Sequence, residues 1–150
     1  MKLLAAIALC IFLLNSCSDA PVFPVRPHIE FVSITPSQGI QYQDNLTITI
    51  HFEDGDGDLG FVTDPVANLF VRDMRPGMPD SEAVSFYNIP NLTPDTHRPS
   101  IQGPLSVSMI FPRLLDPSNL SEDVNFSIWL VDRAGNMSDT ITTSTVTITQ

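Results

Sequence analysis

The chain has 150 residues, with 17 acidic side chains against 7 basic ones and a formal net charge of −10. So negative a surface repels phosphate backbones, which excludes nucleic acid as a partner, and gives no attraction to anionic headgroups. Two cysteines, Cys10 and Cys17, make no disulfide framework, so stability must come from a core or a metal.

The chain starts like an export signal. Met1-Lys2 is positive, and Leu3 to Leu14 form an apolar run too short to span a bilayer comfortably. The run closes on Leu14-Asn15-Ser16-Cys17, which resembles a bacterial lipobox. That resemblance implies a removable signal peptide at 1–16, lipid on Cys17, and contact with the lipid bilayer through an acyl anchor. An ordinary secretory signal with a stray cysteine is the competing reading. Cleavage would remove Lys2 and Cys10, leaving 134 residues, six arginines and seventeen acids. That length suits one domain. Each buried acyl CH₂ contributes about 0.8 kcal/mol, so two or three chains hold stably. Pro21, Pro24 and Pro27 recur every third residue, which makes 17–28 an extended tether. Asp19 is the one acid close behind the cysteine. The segment is therefore partly similar to Bacteroidota-type outer-membrane lipoproteins, facing either the periplasm or the cell surface.

From Ile29 to Gln150 the hydrophobic period is two. Leu46, Ile48, Ile50 and Phe52 alternate with Thr47, Thr49, His51 and Glu53; Leu105–Phe111 and Val124–Leu130 repeat the pattern. Such rows are strands with one buried and one wet face. Less regular strands are expected at Glu30–Thr35, Asn68–Asp73, Val84–Ile89 and Ser138–Thr149, the last broken near Thr142–Ser144 because Ile141 is out of phase with Val146 and Ile148. Turns fall at Pro36–Gly39, Arg75–Gly77 and Ala134–Asn136. No helical stripe of useful length occurs, and Arg113–Asp123 has room for one short turn. Seven strands in about 120 residues imply an all-β, seven-stranded antiparallel sandwich of immunoglobulin-like or fibronectin type.

The densest chemistry is Glu53-Asp54-Gly55-Asp56-Gly57-Asp58-Leu59-Gly60. Ca²⁺ takes six to eight oxygens, and Asp54, Asp56 and Asp58 resemble the first three ligands of D-x-D-x-D calcium loops. Leu59 and Pro65 stand where an EF-hand needs glycine and glutamate, so further ligands must come from elsewhere. In a sandwich the loops 54–66 and 132–137 emerge at one end, which nominates Asp132 and Asn136, with Glu53 beside them. Against this stands a second reading, in which Asp132 caps turn amides and the acidic loop is merely solvated. Val131-Asp132-Arg133-Ala134-Gly135-Asn136-Met137-Ser138 is similar to a hairpin of bacterial Ig-like domains. With the acidic loop it resembles small Bacteroidota lipoproteins built on one such domain.

No G-x-S-x-G, H-E-x-x-H or phosphate-binding glycine loop is present, and exposed alternating acids suit general acid–base work badly. The chain is therefore expected to be no enzyme, but an interaction or structural module of the cell envelope with Ca²⁺ as its stabiliser. A glycan-binding accessory role is the alternative, with Trp129, Asp95 and His97 as possible contacts to a glycan or an envelope protein. A hydrolase comes third.

Overall fold

The computed structural model describes residues 22–61, 66–93 and 99–150. The signal, Cys17, the start of the tether, Asp95 and His97 lie outside the described residues. The described residues form ten strands: β1 (His28–Thr35), β2 (Gln38–Ile40), β3 (Asn45–Asp54), β4 (Leu69–Asp73), β5 (Val84–Tyr87), β6 (Ile101–Ile110), β7 (Ser121–Val124), β8 (Phe126–Leu130), β9 (Ile141–Thr142) and β10 (Val146–Thr149). One short helix, α1 (Asp80–Ala83), joins them.

One sheet has the order β1-β3-β6. Opposite it, β5-β4-β8-β9 continues into β7-β10-β2, because β7 leads into β8 and β9 into β10. This is the layout of an immunoglobulin-like sandwich, all antiparallel except for β2, which runs parallel to β10. Each of the seven expected strands is present. The count is higher because two are interrupted and one is added. The added strand, β2, occupies part of the expected Pro36–Gly39 turn: past Pro36 the chain crosses to the other sheet and pairs with the C-terminal strand. The last strand breaks at 143–145, where three steps on its partner oppose four on its own side: Ser127 faces Thr142 but Val124 faces Val146. Thr143 bridges that break, its backbone N–H donating to Phe126 O at 2.9 Å and its hydroxyl accepting from Phe126 N–H at 3.0 Å. The short turn expected in Arg113–Asp123 is closed by Asn119 N–H donating to Asp116 O and is followed by β7.

Between the layers, Leu46, Ile48, Ile50 and Phe52 of β3 meet Phe126, Ile128 and Leu130 of β8, with Val71, Val146 and Ile148 filling in. Burying one such side chain fully contributes about 1.5–3 kcal/mol, so these rows fix the register of both sheets. A one-residue slip would turn every one of them outward. That fixed phase also decides what sits at the ends of the rows.

Candidate metal centre

Two steps beyond Phe52 the inward row of β3 reaches Asp54, and two steps beyond Leu130 the inward row of β8 reaches Asp132. Both carboxylates are thus carried over the same end of the core, and both are buried. Behind Asp54 the chain turns sharply. Gly57 adopts φ +62°, and a Cβ there would run into the carbonyl oxygen of Pro99. Leu59, fully buried, pins the far side of the loop. Between these points Asp56 and Asp58 turn back toward Asp54. Asp54, Asp56, Asp58 and Asp132 each offer an oxygen, and the four atoms lie within 4.8 Å of one another. Oxygens ligating one Ca²⁺ at about 2.4 Å can be no further apart than that.

Asp54 has no exposed surface, and neither of its carboxylate oxygens makes a hydrogen bond; Oδ1 of Asp56 is likewise buried without one. Burial first, then the charges of Asp56, Asp58 and Asp132, push the Asp54 carboxyl up to about 7 from its ordinary 3.8. The Asp58 backbone opposes part of that rise. Arg133, the adjacent cation, is committed elsewhere: it donates to Gly60 O at 3.0 Å and to Asn91 Oδ1 at 2.7 Å. The four carboxylates could hold a metal ion, and a hard cation would supply the positive charge this arrangement lacks.

The surrounding loops are laced to the acidic loop. Arg133 N–H donates to Asp58 O at 3.2 Å, Thr93 Oγ1 donates to Gly57 O at 2.7 Å, and Ser100 Oγ donates to Gly55 O at 2.8 Å. The connection Pro90–Gln102 therefore packs on this end through its described residues. Asn136 holds Asp132 in place: its backbone N–H donates to Oδ1 and its side-chain amide to Oδ2, each at 2.8 Å. Asp132 thus caps turn amides and still offers an oxygen to the cluster, because its two oxygens have lone pairs for both, whereas the acidic loop is not merely solvated: Asp54 and Asp58 are buried. Glu53 falls on the opposite face of β3, across from Gln102 and His28, outside the group of four. Thr93, Ser100 and Arg133 were not singled out from the sequence. Only Arg133 carried a signal there, its place in the hairpin motif.

Trp129 lies half-buried on the outer face of β8. It stacks on Phe70 with ring centroids 5.3 Å apart and planes at 2°, and Phe70 takes the edge of Phe86 at 5.8 Å. Trp129 also lines a groove of about 490 Å³ with Arg72, Met74, Met137 and Thr140. No family model, curated protein or solved structure matches the chain.

Proposed function

We propose that the chain is a lipid-anchored, non-catalytic module of the bacterial cell envelope whose end loops are tied together by Ca²⁺. One observation carries the calcium reading: Asp54, fully buried with both oxygens unpartnered, sits among Asp56, Asp58 and Asp132. Buried carboxylates in that state need protons or a cation, and oxygen-only ligands in a tight loop favour a hard divalent ion. Extracellular sites of this kind bind at about 10⁻⁴–10⁻³ M, so 10 mM Ca²⁺ adds about 1.4–2.7 kcal/mol. The soluble 18–150 fragment is expected to melt several degrees higher in 10 mM Ca²⁺ than in chelator, and Asp56→Asn to lose most of that difference. Identical melting curves with and without Ca²⁺ would sink the reading. The anchor rests on Leu14-Asn15-Ser16-Cys17, and Cys17→Ser should release the protein from membranes.

A glycan-binding role is the second reading, favoured by the Trp129 groove. A half-buried indole stacked on Phe70 offers a sugar ring an apolar face, with the hydroxyl of Thr140 nearby. The arginines of the groove are already neutralised, Arg72 by Asp80 and Arg75 by Asp73 and Glu122, so a neutral ligand suits it. On a glycan array, binding lost in Trp129→Ala supports this role, and no binding by the wild type removes it.

A further inference from the structure

The loop that carries Asp54, Asp56 and Asp58 is also a seat for the N-terminal segment. Gly55 donates its backbone N–H to Pro24 O at 2.8 Å, and a Cβ on Gly55 would collide with the carbonyl oxygens of Phe23 and Pro24. Arg26 Nε then donates to Met137 O at 2.6 Å, Pro27 is buried, and His28 Nδ1 lies 3.0 Å from the Asp139 carboxylate. Residues 23–28 thus run from the acidic loop to the 132–139 turn. Those are the same two loops whose carboxylates form the cluster.

We infer that cation binding and the seating of residues 23–28 are coupled, so that a filled cluster clamps the N-terminal segment onto the end of the sandwich. The inference rests on the cation reading above and adds a role to it. Without an ion, four carboxylates within 4.8 Å repel one another, and moving the two loops apart is the simplest relief. A seat built on both loops then loses one of its walls. Ahead of β1, residues 23–27 are held there by one main-chain hydrogen bond, one side-chain hydrogen bond and a buried proline, with the His28–Asp139 contact at the strand's start, few enough ties for a local change to release them. Linkage makes the effect reciprocal: a seated segment holds the loops together and raises affinity for the ion.

The test is backbone NMR relaxation on the full-length chain in 10 mM Ca²⁺ and in EGTA, paired with calcium titration of Arg26→Ala. Arg26 is not among the four carboxylates. Order parameters at Phe23, Val25 and Arg26 should be about 0.85 with Ca²⁺ and below about 0.6 in EGTA. Arg26→Ala should bind Ca²⁺ about fivefold more weakly than wild type. Unchanged order parameters in a protein that does titrate with Ca²⁺ would overturn the coupling and leave the cation site standing, as would equal affinities for variant and wild type. A chain that takes up no Ca²⁺ overturns both.

Discussion

A carboxylate with no exposure and no hydrogen bond is a costly way to end a β-strand, and Asp54 ends β3 in that way. Its cost and its use have opposite signs in the two states of the site, which makes Asp54→Asn a sharp probe. The amide has nearly the same shape but no charge. In chelator the variant should melt higher than wild type, because a buried anion facing Asp56, Asp58 and Asp132 has gone. In 10 mM Ca²⁺ the order should reverse, because a charged ligand has gone as well. A variant that melts lower than wild type in both media would mean that Asp54 has a structural partner rather than an ion. The position was legible in the sequence. Leu46, Ile48, Ile50 and Phe52 set a period of two, and 54 is the next inward place, as 132 is after Leu130. The same phase rule turns Glu53 outward, although its proximity in sequence suggested a ligand. Periodicity says which way a residue faces; it does not say that two rows end at a shared point, which needed the pairing of whole sheets.

At the scale of elements, the strands were legible wherever one face is dry and the other wet. Their breaks and their fastenings were less so. Arg75 shows why: in sequence Arg75-Pro76-Gly77 is turn chemistry, and an arginine in a turn is expected in water. Here it is buried and joins the end of β4 to β7, donating to Asp73 at 2.6 Å and to Glu122 at 2.9 Å. Its partner Glu122 lies 47 residues away, beyond the reach of any local pattern. Burial alone would raise the Glu122 carboxyl, but the amides of Leu115 and Asp116, the Asn119 side chain and Arg75 together hold it at about 2, below its ordinary 4.5. A group lowered in this way stabilises the fold fully above pH 4.5, and its contribution is lost as pH falls toward 2. Urea midpoints measured between pH 5 and pH 2 should therefore fall more steeply for wild type than for Glu122→Gln, which lacks the titrating group. Parallel curves would show that the fastening contributes nothing of its own.

For the molecule as a whole, Asp54 implies the opposite pH dependence, and the ion should cancel it. In the metal-free fold its carboxyl is held up to about 7, whereas the unfolded chain gives up that proton near 3.8. Between those values the folded state binds more protons than the unfolded one, so stability falls as pH rises from about 4 and levels off above about 7. Calcium reverses the preference, because its ligands must be ionised: the ion displaces the proton, and its affinity grows as pH rises through the same window. The rise in melting temperature produced by 10 mM Ca²⁺ should therefore be small at pH 5 and reach its full size by pH 8, since the metal-free baseline drops as binding strengthens. Asp54→Asn should flatten the chelator curve across that range. Thermal melts of wild type and variant at pH 5, 6, 7 and 8, with and without chelator, separate the two causes. A calcium increment equal at pH 5 and pH 8 would place the ion somewhere other than around Asp54, whereas a growing increment in wild type and a flat one in Asp54→Asn would tie the stability of the sandwich to the charge state of a single carboxylate at the end of β3.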